Sequence, residues 1–139
     1  MLTFQNAVTL HICARSDAER QRWVNVFQRL MGCFNQTVST GGWVGPKVVE
    51  TEPDVKLTLW LDDDGWPKLA RLLRYFRWYQ VAARQEAVSI ETVYQGQWKA
   101  WVVFEGDWQE LTESLRQVFD PEYREVQEVE RLLEFFHVR

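Results

Sequence analysis

No stretch of this chain approaches 18 consecutive apolar residues, so no membrane-crossing helix is expected. Cysteine is scarce: Cys13 and Cys33 are the two in 139 residues, and neither sits in a C-x-x-C pair. A reduced, cytoplasmic setting is the simplest expectation, with a Cys13–Cys33 disulfide as the less economical alternative. Histidine is equally scarce, with His11 and His137 only. Those four residues would be the whole Cys/His supply for a zinc site of about four ligands, and their spacing fits no zinc pattern. Neither a metal nor a cofactor is expected. The amino end, MLTFQNAVTLHICARSDAER, lacks the basic start of a secretory signal and reads as a strand.

Several motifs are missing as well. The stretch TGGWVGP (40–46) runs on into Lys47-Val48 with no Ser or Thr and no helical pattern behind it, so it is no phosphate loop. It reads instead as a glycine turn or bulge, with Trp43 and Val44 presented at its tip. The acids of DDDG (62–65) resemble the opening of a calcium loop, but the twelfth position from Asp62 is Leu73 and not Glu. They read as acids preceding a helix. His11 and Cys13 share a strand face, yet no third group orients them as a nucleophile pair. Acids are plentiful, and none is singled out as a general acid or base.

Aromatic residues are abundant, with eight tryptophans in a chain that is 46% hydrophobic and 26% charged. Each can bury on the order of 150–250 Å², so a few can dominate a core or an interface. The net charge of −4 is unevenly spread. Residues 105–139 hold ten acids against four bases, whereas residues 66–84 hold Lys68, Arg71, Arg74, Arg77 and Arg84 with no acid.

Periodicity orders the chain. Residues 8–14 alternate Val8, Leu10 and Ile12 with Thr9, His11 and Cys13, a half-buried strand. Ser16 and Glu19 form a capping box, followed by a helical stripe of Trp23, Val26, Phe27 and Leu30 that ends at Gly32. Residues 34–40 and 55–61 read as strands, with residues 41–46 breaking or turning the first and Val48–Val49 continuing the pairing beyond. Pro67 suits the first turn of a helix running to about Arg84. Residues 87–94 and 97–104 read as a hairpin about Gln95-Gly96. Asp107 opens a further helix, and Asp120-Pro121 restarts it toward His137.

The order β-α-β-β-α-β matches the split plan of ferredoxin-like domains, an α+β antiparallel sheet with two helices on one face. The expectation is one domain over 1–139: a ferredoxin-like core over 1–104, including one added strand, and a C-terminal helical pair over 105–139. That pair would cover the open sheet face, where His11, Trp60 and Trp101 are expected to point.

On the wheel of helix 67–84, Leu69, Leu72, Leu73, Phe76, Tyr79 and Ala83 form the core arc, with Arg71, Arg74, Arg77 and Arg84 opposite. Trp78 lies among these arginines, unexplained by the apolar stripe. Its plain reading is packing under Arg side chains or against the acidic C-terminal helices. Its functional reading is a partner contact, since Arg and Trp often anchor protein interfaces. The sequence therefore points to a non-enzymatic module, an inhibitor or adaptor of the kind a phage or mobile element carries. It would bind a protein partner through Arg71, Arg74, Arg77 and Trp78, with Trp43 as a second contact. Nucleic acid gripped by the same arginines and Trp78 is the alternative. A small-molecule enzyme or binder built on the sheet face is a further one. A homodimer through an uncovered face or edge would also fit.

Overall fold

The computed structural model describes residues 4–32, 35–44, 49–62 and 65–122, with residues 35–44 and 49–53 described through their backbone. Its strands and helices are β1 (Asn6–Ile12), α1 (Asp17–Met31), β2 (Asn35–Val44), β3 (Val49–Leu61), α2 (Trp66–Ala82), β4 (Ala87–Tyr94), β5 (Gln97–Phe104) and α3 (Trp108–Phe119). The five strands form one antiparallel sheet in the order β2-β3-β1-β4-β5. This is the ferredoxin-like arrangement with β5 added beside β4.

Each boundary has a local cause. Strand β1 stops two residues before the expected Ala14, because the Tyr79 hydroxyl takes the ladder's place at Cys13. It accepts from the Cys13 N–H at 2.7 Å and donates to the Cys13 carbonyl. Helix α1 starts where Ser16 accepts from the Glu19 N–H at 3.2 Å, and it ends at Gly32, whose φ of 72° suits glycine. Pro67 lies in the first turn of α2, as expected. The β4–β5 turn has φ of 49° at Gln95 and 81° at Gly96, the doubly left-handed geometry of a tight hairpin.

Two expectations need correction. Gly41, Gly42 and Trp43 do not break the strand. They continue β2, paired with Glu52, Thr51 and Glu50 of β3, which itself begins at Val49 and not at residue 55. The alternation of side chains had marked only the second half of β3. Helix α3 packs beside α2 on the same face as α1, and it leaves the opposite sheet face alone. The expected last helix, from Pro121 to His137, falls outside the described residues except for Pro121 and Glu122, which form a turn.

The core is a sandwich of one sheet face and three helices. Val8, Leu10 and Ile12 of β1, Leu57 and Leu59 of β3 and Ile90 of β4 meet Phe27 of α1, Leu69, Leu72 and Phe76 of α2 and Leu115 of α3. Phe27 and Phe76 meet edge to face at 5.8 Å, and Phe76 stacks on Tyr79 at 5.2 Å. The tryptophans divide accordingly. Trp66 and Trp108 are core, Trp23 and Trp101 are half-buried against it, and Trp60, Trp78 and Trp98 are exposed.

One buried amide ties the layers. The Gln80 Nε2 donates to the Glu86 and Val103 carbonyls at 3.2 and 3.1 Å, and its Oε1 accepts from the Trp108 indole at 2.6 Å. Helix α2 is thereby fixed to β5 and α3. Gln80→Leu is expected to strand all three partners and cost on the order of 3 kcal/mol, read as a lower urea midpoint at unchanged slope.

Candidate functional site

The sheet face opposite the helices carries the unusual chemistry. Period two puts Ala7, Thr9 and His11 of β1 on it, with Asp54, Lys56, Thr58 and Trp60 of β3 and Glu91 and Val93 of β4. On β5 it takes Trp98, Ala100, Val102 and Phe104, because Trp98 pairs with Val93 and Ala100 with Glu91. Trp101 therefore belongs to the helix side. Its indole donates to Thr92 Oγ1 at 3.2 Å, and Lys99 Nζ lies 5.2 Å from its ring centre. The expectation that Trp101 lines the open face is thus corrected: Trp98 occupies that role. His11 and Trp60 are on the open face, as expected.

The register arranges these residues in rows. Trp60, Ala7, Val93 and Trp98 stand level across four neighbouring strands, and Thr58, Thr9, Glu91 and Ala100 form the next row. Lys56 and His11 follow. Strands about 4.8 Å apart set Trp60 and Trp98 roughly 14 Å from each other along the backbone. Small residues lie between them. Thr9 and Thr58 share a hydrogen bond of 2.7 Å.

At the centre, His11 is held between two carboxylates. Its Nδ1 lies 2.8 Å from Asp54 Oδ2 and its Nε2 lies 2.6 Å from Glu91 Oε2. A carboxylate oxygen only accepts, so with both carboxyls ionised this geometry calls for a proton on each ring nitrogen, an imidazolium. Burial alone would lower the pKa of His11. The hydrogen bonds and charges of Asp54 and Glu91 outweigh it and raise the ring above its ordinary 6.5. Burial alone would likewise raise Glu91. The hydrogen bonds from His11 and Trp98, with the charges of His11 and Lys56, instead hold its carboxyl below its ordinary 4.5. The other oxygen of Glu91 accepts from the Trp98 indole at 3.1 Å, and the Cys13 thiol lies 3.6 Å from Asp54 Oδ1. Among the described residues no set of three His, Cys, Asp or Glu is placed to hold a metal ion, and both His11 nitrogens are already engaged. Cys33 and His137 lie outside the described residues.

The residues expected to bind a partner are elsewhere. Arg71, Arg77 and Trp78 are exposed on the outer side of α2. Trp78 meets the Trp23 ring of α1 at 5.1 Å and Tyr75 at 6.1 Å, so it packs on aromatics. Arg74 is half-buried, and its burial and neighbouring Arg77 lower its pKa. Trp43 lies in β2, and its side chain is outside what is described.

No protein-family model and no curated protein matches this chain. Solved structures do. A phage SAM lyase in complex with S-methyl-5'-thioadenosine superposes with a TM-score of 0.53 at 11% identity, over 75% of this chain and 93% of that one. A phage SAM lyase in its apo state gives 0.54 at 12%, over 75% and 94%. At that identity the likeness is one of fold. It nevertheless overturns the expectation of a non-enzymatic inhibitor or adaptor, since both of these chains, matched over nearly their whole length, are those of an enzyme. That expectation rested on the lack of any catalytic motif in the sequence. The cluster of His11, Asp54 and Glu91 leaves no such motif, because it is assembled from three strands, with Asp54 and Glu91 lying 43 and 80 positions from His11. Asp54, Glu91 and Trp98 had no local signal. Only the pairing register could have found them.

The cluster sets a pH window. The His11 contribution to stability is complete below 6.5 and fades as pH rises through the raised ring pKa. The Glu91 contribution is complete above 4.5 and fades as pH falls through the depressed carboxyl pKa. The thermal midpoint of wild type relative to His11→Gln is therefore expected to be greatest between about 4.5 and 6.5 and to shrink on either side. A difference that is flat with pH would show that the ring is not charged between its carboxylates.

Proposed function

We propose that this chain is an enzyme that acts on a small sulfonium nucleoside at its open sheet face, as a lyase on S-adenosylmethionine. The observation that carries the reading is the half-buried carboxylate–imidazolium–carboxylate cluster on that face, bordered by exposed Trp60 and Trp98. The fold it shares with phage SAM lyase supports the choice of substrate. The reading develops the sheet-face alternative. None of the described helices packs on that face.

A lyase that leaves S-methyl-5'-thioadenosine breaks the bond between the sulfonium sulfur and the amino-acid carbon chain. The electron pair goes to sulfur, which becomes a neutral thioether. As that bond breaks, the substrate's own carboxylate closes on the same carbon to give a lactone, so no proton has to be removed. The sulfonium is already a good leaving group, so the protein's task is to bind and orient a cation and to exclude competing water. Asp54, Glu91 and His11 together carry one net negative charge, and the adjacent indoles offer faces that attract cations. Thr9 and Thr58 place hydroxyls within the same rows for the polar groups of a ribose or amino acid.

The test is direct. Purified protein incubated with S-adenosylmethionine is expected to release S-methyl-5'-thioadenosine, followed by chromatography and mass spectrometry. Glu91→Gln and His11→Ala should lower the rate by about 100-fold, the usual scale for losing one electrostatic group at a reacting centre. A folded wild type that releases none would sink the reading.

A further inference from the structure

Trp98 is held in an uncommon way. Its indole N–H is fixed on Glu91 Oε1 at 3.1 Å, yet 62% of the residue is exposed. Glu91 is itself anchored through its other oxygen by the His11 ring at 2.6 Å. The ring is thus tethered at one corner to a pinned carboxylate while most of its surface stays in water. A tryptophan that served only packing would bury that surface. An aromatic surface and a fixed anion side by side match one class of ligand group: a cation that carries no N–H or O–H donors and cannot form a salt bridge. A sulfonium, with three carbons on sulfur, is such a cation. It is attracted by the ring's quadrupole and by the nearby charge and makes no hydrogen bond to either.

Resting on the reading of the open face as a sulfonium-cleaving site, we propose that Trp98 and Glu91 together read the charge of the ligand. The charged substrate is then held about tenfold more tightly than its neutral thioether counterpart, the scale of one partly desolvated cation–aromatic contact. Cleavage converts sulfonium to thioether, with the C–S electron pair moving onto sulfur. The reaction itself removes the charge that held the nucleoside, and the product is released without any movement of the protein. Lys56 and His11, both cationic, lie on the far side of Glu91 from Trp98 in the register. The attraction is therefore strongest at the Trp98 edge of the cluster.

Two unreactive nucleosides separate charge from shape. 5'-Deoxy-5'-(dimethylsulfonio)adenosine carries the sulfonium without the amino-acid chain that is cleaved, and S-methyl-5'-thioadenosine is its neutral thioether counterpart. Calorimetric titration of wild type at fixed pH and salt is expected to favour the sulfonium about tenfold. Trp98→Leu, a change at an exposed position that should leave the fold intact, is expected to bring the two affinities within about twofold. Trp98→Phe retains a ring but frees it from Glu91, and should give an intermediate ratio. Glu91→Gln should also abolish the preference. Wild type that releases S-methyl-5'-thioadenosine but binds both nucleosides equally would overturn this inference and leave the enzymatic reading standing. So would a tenfold ratio that survives in Trp98→Leu. Wild type that binds neither and releases no product would overturn both.

Discussion

Side chains on a β-strand alternate between two faces, and in this protein all three described helices lie against one of them. Everything else follows from that asymmetry. On the helix side, Val8, Leu10, Ile12, Leu57 and Ile90 are sealed from water and can only be apolar. On the other side the same strands are free to carry histidine, acids, hydroxyls and indoles. The positions between the core residues are therefore where chemistry can be placed at no cost to the core. The antiparallel register then decides which of those positions become neighbours. Asp54, His11 and Glu91 are remote in sequence and meet because β1 lies between β3 and β4.

The cluster these strands assemble is stiff as well as charged. An imidazolium with a carboxylate on each side has no spare donor, and Glu91 uses its second oxygen on Trp98. Hydrogen bonds to ionised groups are stronger than neutral ones and more demanding of geometry. They also link four strands on the side where no described helix braces the sheet. Behind the cluster, the Tyr79 hydroxyl grips both backbone groups of Cys13, so the segment beside Asp54 is fixed from the helix layer too. Preorganisation of this kind is what a site needs when its ligand presents a charge and few donors.

Much of the architecture could be read from periodicity. The alternation about Leu10, the Ser16–Glu19 cap, Pro67 at the start of α2 and the Gln95-Gly96 turn each act through neighbouring residues, and each appears in the fold. The site was far less legible. His11 and Trp60 stood out, because a polar or exposed aromatic residue in an alternating strand is visible locally. Asp54 and Glu91 looked like any other acids, since their significance lies in pairings across strands. The assignment of Trp101 in place of Trp98 shows the limit most clearly. Both residues occur in one strand of mixed character, and only the pairing with β4 tells which is on which face. The double glycine at 41–42 misled in the opposite sense: its local signal is a break, and partner strand β3 carries it through as extended chain.

The β4–β5 turn has a reach beyond its own two residues. Gln95 and Gly96 adopt left-handed conformations, and Gly96 does so without the strain a side chain would bring. Those conformations fix Tyr94 opposite Gln97, and hence Val93 opposite Trp98 and Ile90 opposite Trp101. A slip of one residue in that pairing would turn every β5 side chain over. Trp98 would be driven toward the helices and Trp101 out beside the carboxylates, with the amino-acid sequence of the strand unaltered. The identity of the tryptophan that meets Glu91 is thus set by a glycine with no part in the chemistry.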